Sequence, residues 1–211
     1  MGQRTMEGLN ILMTGSEGYL GSALSAKLKR RNTVTPFIGD VRSRVISPNE
    51  YLETVDMLIH FASPIDNTDP QKTASTIIEG TVNMVWLAQK LNARFIYAST
   101  LGVEHEHELD DTYITCKLAM ENYVRSVYNK HMILRIPRVY SKCRDNGLMS
   151  KLRNNKVPKH HMNNQVEYMT LDEFVNTTIH ALEIKVTAGT HIYQPRHKRT
   201  IGEIKQWLDE C

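Results

Sequence analysis

Short apolar runs alternate with longer amphipathic stretches along almost the whole chain. Ile11 to Thr14 reads as a buried strand. In 18–31, Leu20, Leu24 and Leu28 recur at four-residue spacing and share one helical face. Thr33 to Gly39 reads as a second strand whose Pro36 suits an edge or a strand start. Val55 to Pro64 reads as a third, emptying into a loop, with His60 at its C-terminal end as a packed residue. Residues 71–91 read as a long helix that buries Ile77, Ile78, Val82, Val85 and Leu87. A strand over Ala93 to Ser99, a helix over 112–129 and a strand over His131 to Ile136 follow, and Pro137 breaks the last of these. Ser141 to Gln165 is polar, with one short helix around Leu148 to Leu152. A helix over 171–184, capped by Thr170 ahead of Glu173, leads to a strand at 191–194 and a last helix from Ile201 capped by Thr200. Strands alternating with helices predict an α/β fold around a parallel sheet.

The junction of the first strand and helix carries Gly15, Gly18 and Gly21 in the spacing TGxxGxxG. Strand, glycine turn and helix together are the context of a dinucleotide site. A Cβ there would block the tight turn, the approach of a pyrophosphate or the helix–strand packing. Asp40 lies nineteen residues after Gly21, near the distance at which an acidic residue bonds ribose hydroxyls. That favours NAD; Arg42 and Arg44 close by give NADP as the alternative.

The 211 residues suit one compact domain, or one domain with a small appendage, and 41% hydrophobic content is ordinary for a globular protein. No apolar run reaches the length of a membrane span, and MGQRTMEG lacks the apolar core of a signal peptide. Met6 breaks the myristoylation pattern. Three widely spaced cysteines, Cys116, Cys143 and Cys211, fit a reducing cytoplasm. The net charge of +3 is scattered apart from clusters at Lys151–Lys159 and Arg196–Arg199. These read as solvated surface, the alternative being loops that grip an anionic ligand; nothing points to nucleic acid. His105 and His107 alternate with Glu104, Glu106 and Glu108 but lack the ligand spacing of a zinc site, so no metal is assigned.

Tyr113 and Lys117 stand four apart on one helical face, and Thr100 ends the strand just upstream. A tyrosine with a free pKa near ~10 is a poor base at neutral pH. A neighbouring ammonium and a positive nicotinamide bring it into range. A threonine hydroxyl can orient the same substrate oxygen, so the trio suits proton transfer from a carbinol during hydride transfer.

Together, TGSEGYLG, GDVR, DMLIHFAS, EGTVNM, FIYAST, YITCK, LRIPRVY and GTHIYQP…RTIGEIKQWL resemble, in order, the extended short-chain dehydrogenase/reductase family of sugar-nucleotide epimerases and dehydratases. The resemblance implies a Rossmann-like, doubly wound parallel sheet with a small, truncated C-terminal substrate lobe. The cofactor domain would span 1–140, and 141–211 would form the reduced lobe, interleaved with the last sheet elements. It puts Gly15, Gly18, Tyr19, Leu20 and Gly21 around the pyrophosphate, and Asp40, Val41 and Arg42 on the adenosine side. Phe61, Ala62 and Ser63 would line the cofactor, with Pro137 near the nicotinamide. Thr100, Tyr113 and Lys117 match the catalytic residues. Departures are one strand fewer between Gly21 and His60, Arg138 in place of an asparagine, and no phosphate-binding arginine near Val166. Leu101 and Gly102 replace the Asp–Glu pair of the dehydratase members, which disfavours dehydration. The implied activity is epimerisation or ketone reduction of a sugar nucleotide. The alternatives are a reductase of a non-nucleotide carbonyl compound and a non-catalytic dinucleotide-binding module. A homodimer through 71–91 and 112–129 is the implied assembly.

Overall fold

The structure, a computed structural model, describes residues 6–43, 54–64, 69–105, 111–145, 147–184 and 188–210. Six parallel strands form the main sheet: β1 (Asn10–Thr14), β2 (Thr33–Pro36), β3 (Met57–His60), β4 (Arg94–Thr100), β5 (His131–Ile136) and β8 (Gly189–Ile192), in the order β2-β1-β3-β4-β5-β8. The chain runs from β1 outward to β2, then crosses to β3 on the other side of β1. Ligands of such sheets sit at this switch, beyond the carboxyl ends of the strands.

Strand residues alternate between two cores. Ile11, Met13 and Ile59 face α1 (Tyr19–Leu28) and α5 (Leu171–Glu183), where Leu24, Leu28 and Phe174 meet them. Leu12, Leu58 and Phe95 face α2 (Pro70–Leu91) and α3 (Thr112–Val127), against Ile77, Met84 and Val124. Both faces are covered, which is why these strands read as continuous apolar runs. His60 is packed into the second core. Its Nδ1 lies 2.7 Å from Thr14 Oγ1, and burial holds its pKa down at about 3.

A second sheet was not legible in the sequence. It consists of β6 (Arg138–Tyr140), β7 (Gln165–Thr170) and β9 (His197–Thr200), with β6 parallel and β9 antiparallel to β7. Tyr140 and Tyr168 pack there with Met149 and Leu152 of α4 (Gly147–Arg153) and with Ile201 and Ile204 of α6 (Ile201–Asp209). The strands are short and largely polar; HKRT contributes no aliphatic residue, so its pairing is set by the backbone ladder and not by an apolar pattern. Strand β8 begins at Gly189, two residues before the predicted start, and ends at Ile192. Strand β2 ends at Pro36 and not Gly39. Capping boxes form at Thr170–Glu173 and Thr200–Glu203. Among the described residues no helix is long and apolar enough to cross a membrane.

Candidate active site

A cavity of about 480 Å³ opens beyond the carboxyl ends of β1, β3, β4 and β5. Its floor is the glycine turn. Gly15 holds φ +67°, and the Gly18 N–H donates to its carbonyl at 3.0 Å. A Cβ on Gly21 would lie 2.0 Å from the Gly15 oxygen, and one on Gly15 would lie 2.7 Å from Ala62 N. Backbone atoms cannot retreat from such contacts, so these two glycines hold turn, helix and β3 loop together. Gly18 is the N-cap of α1, no side chain caps that helix, and its first turn has no acidic residue. The first-turn N–H groups of Tyr19, Leu20 and Gly21, all in the cavity wall, are therefore suited to a phosphate. Gly15→Ala should lose about 2 kcal/mol of stability in urea unfolding, from left-handed strain plus the clash; an unchanged midpoint would show that the turn relaxes freely.

Phe61, Ala62 and Ser63 form the next wall. Thr14 Oγ1 accepts from the Ala62 N–H at 3.1 Å, and the Phe61 ring packs edge-on against Phe174, 6.0 Å between centroids. Thr100 ends β4 and caps a 3₁₀ turn, Leu101–Glu104, by accepting from Gly102 N–H at 3.2 Å. Asp111 caps α3 through the Tyr113 N–H at 2.7 Å. Tyr113 and Lys117 thus enter the cavity from the start of that helix, facing Thr100, Ala98 and Ser99.

Lys117 is 2% exposed; its ammonium donates to the Ala98 carbonyl at 2.7 Å and lies 4.8 Å from the Tyr97 ring centroid and 5.6 Å from that of Tyr113. Burial brings its pKa down to about 7, against the supporting charge of Glu121. Burial and the Asp111 carboxylate push Tyr113 up to about 12. A hydrogen bond with Ser63 and the charge of Arg144 pull the other way. Arg144, a residue the sequence motifs do not include, is thus a cation that acts on the Tyr113 hydroxyl.

The remaining wall belongs to the smaller sheet and its flanks: Pro137, Arg138, Tyr140, Arg144 and Leu148. The Arg144 guanidinium lies 4.9 Å from the Tyr19 ring and 5.9 Å from the Tyr140 ring, and it donates to the Val139 carbonyl. Tyr19 in turn donates to Ser141 Oγ at 2.8 Å, joining the glycine turn to this wall. The sequence pattern singles out neither Arg144 nor Tyr140, because both border a polar stretch that reads as loop.

Asp40, Val41 and Arg42 do not line the cavity. Arg42 grips the Asp40 carboxylate, its guanidinium 2.5 Å from Oδ2, and holds the acid down at about 2. Val41 is buried against α2, accepting from Asn83 Nδ2 at 2.9 Å. The basic clusters lie elsewhere on the surface, where Lys198 pairs with Glu167 at 3.0 Å. Arg44, Glu106, His107 and Glu108 lie outside the described residues. Among those described, no group of three or more His, Cys, Asp or Glu could hold a metal ion.

The model of the NAD dependent epimerase/dehydratase family matches residues 11–193. UDP-glucuronic acid decarboxylase 1 of Arabidopsis thaliana is 32% identical over a match covering 50% of this chain and 30% of that protein. The protein of that name from Danio rerio is 33% identical, covering 47% and 29%. The chain thus spans about 30% of the length of the curated relatives it matches. A dTDP-4-dehydrorhamnose reductase from Bacillus anthracis, solved with NADP, superposes with TM-score 0.77 at 19% identity, covering 95% of this chain and 80% of that one. A UDP-glucose 4-epimerase from Thermotoga maritima, solved with UDP-glucose, gives 0.77 at 17% identity, covering 96% and 82%. At these identities the structures establish a shared fold.

Proposed function

The chain belongs to the NAD dependent epimerase/dehydratase family, and on that premise we propose that it is an NAD(P)-dependent enzyme that epimerises a sugar nucleotide or reduces its ketone. The observation that carries this reading is a single cavity walled by the glycine turn, Thr100, Tyr113 and Lys117. Gly15, Gly18, Tyr19, Leu20 and Gly21 receive the pyrophosphate on the open start of α1. Phe61, Ala62, Ser63 and Pro137 flank the cofactor further along. Asp40, Val41 and Arg42 lie on the adenosine side, where the Asp40 carboxylate suits the ribose hydroxyls of NAD. Arg42, released from Asp40, would suit the 2′-phosphate of NADP. When bound, the nicotinamide supplies the acceptor and donor of hydride.

Tyr113 takes the proton of the reacting hydroxyl and returns it. Thr100 holds that oxygen in line. Lys117 bonds the nicotinamide ribose and adds positive charge beside Tyr113. Arg144, between the rings of Tyr19 and Tyr140, grips an anionic part of the substrate and supports the phenolate. Ile78, expected on the buried face of α2, is instead exposed, and with Trp86 on α2 and Val127 on α3 it favours pairing of those helices with a second copy.

NADH and NADPH fluorescence titrations test the reading, with Gly18→Trp as the blocked-site control. One of the two forms should bind, and the indole placed in the turn should weaken it at least about tenfold, the loss of about 1.4 kcal/mol. Absence of binding by either form would end the enzyme reading.

A further inference from the structure

Tyr113, Lys117, Glu121 and Arg125 stand four apart along one face of α3. Glu121 is fully buried. Its Oε1 accepts from Ser99 Oγ at 2.5 Å and from Arg135 Nε at 3.0 Å. Its Oε2 accepts from the second Arg135 nitrogen at 2.7 Å and from Arg125 at 2.6 Å. Arg135 reaches on to Glu104 at 2.9 Å, and Arg125 to Thr190 Oγ1 at 3.1 Å. The carboxylate thus ties α3 to β4 and β5, and through Arg135 to the turn at 101–104, while Arg125 of the same helix reaches β8.

Such a cluster is a weak source of stability, because taking its charges out of water offsets most of their attraction. Its geometry is more informative. Ser99 and Glu104 bracket Thr100, and both are held by the same cluster. Tyr113 and Lys117 stand two turns and one turn before Glu121 on the same helical face.

We propose that Glu121 is a positioning residue of the active site, clamping the strand end and turn around Thr100 against the helix that carries Tyr113 and Lys117. Its chemical meaning rests on the function proposed above; the clamp itself does not. Released, the turn would shift along α3, and the two hydroxyls would stop converging on one substrate oxygen. A misplacement of about 1 Å costs about 10²-fold in rate. The carboxylate also supports the Lys117 ammonium, which burial disfavours.

The test is Glu121→Gln in the full chain. The amide keeps the shape, removes the charge and turns an N–H toward a guanidinium. Hydrogen–deuterium exchange of the ligand-free protein should accelerate about tenfold in 99–105, with remote strand segment 33–37 unchanged, the pattern of local opening. NADH affinity should stay within about threefold of the parent's, while kcat with UDP-glucose or UDP-glucuronic acid falls about 10²-fold at nearly constant KM. An unchanged 99–105 segment overturns the proposal. So does equal acceleration in both segments, the signature of a purely structural role. If Glu121→Gln fails to fold, Glu104→Gln decides: it cuts only the outer arm and should speed exchange in 101–105 alone, and no change there overturns the clamp. The exchange measurement uses no ligand, so failure of the parent to bind NADH would count against the proposed function and not against the clamp.

Discussion

Tyr113→Phe should lower sugar-nucleotide turnover by about 10³-fold while leaving NADH affinity unchanged. The substitution removes one oxygen and keeps the ring, which packs against the core of the α2–α3 face. What disappears is the group proposed to exchange a proton with the substrate. In the ligand-free site that hydroxyl stays protonated at neutral pH, since burial and Asp111 outweigh Ser63 and Arg144. The parent's kcat/KM, which reports the free enzyme, should therefore rise with pH on the alkaline side. The residual rate of the variant should not. Comparable turnover in the two proteins would remove Tyr113 from the mechanism.

Lys117→Met should stabilise the folded chain by about 4 kcal/mol at pH 6 while abolishing turnover. The folded pKa of Lys117 is about 7, against 10.5 for the free side chain. Between these values the unfolded chain binds a proton that the folded chain does not, so parent stability rises with pH across that window. Below pH 7 the folded protein carries the buried charge and the deficit is complete. Methionine fills similar space without a charge and loses the bond to the Ala98 carbonyl, which takes back about 1 kcal/mol. Its advantage should fade as pH climbs toward 10. His60, held down at about 3 first by burial and then by the Lys117 charge, adds a further rise in stability between about pH 3 and 6.5, of which the variant keeps the part due to burial. Urea midpoints at pH 6 and pH 10 check this; a constant gap between the proteins would mean that Lys117 is not desolvated. A group that weakens the fold when charged is a group retained for another reason, which fits the role proposed for it.

The main sheet was legible because its strands are covered on both faces. Ile11–Met13 and Met57–Ile59 are then apolar throughout, and the glycines of the β1–α1 turn serve its left-handed backbone and the close approach of neighbouring chain. Thr100, Tyr113 and Lys117 were legible because a strand end and a helical i, i+4 pair are local features. Arg144 and Glu121 were not. Arg144 reaches the cavity through a fold of polar residues whose partner rings, Tyr19 and Tyr140, are distant or inconspicuous in the chain. Glu121 reads as an ordinary helical acid four residues past a lysine; only Ser99 and Arg135, brought in by β4 and β5, show it to be buried. Asp40 illustrates the reverse case. Its spacing from Gly21 is informative, but the local pairing with Arg42 is not visible in a spacing.

The chain passes between its two sheets repeatedly: β5 in the large one, β6 and β7 in the small one, β8 back in the large one, β9 again in the small one. The halves are therefore laced together, like a seam sewn with several stitches. No single cut of the polypeptide separates a complete small sheet from a complete large one. A protease nick in 154–164 should leave two fragments that stay associated and are released only by denaturant. An exchange of the small sheet between relatives would have to carry β6, β7 and β9 as a set, with β8 left in place.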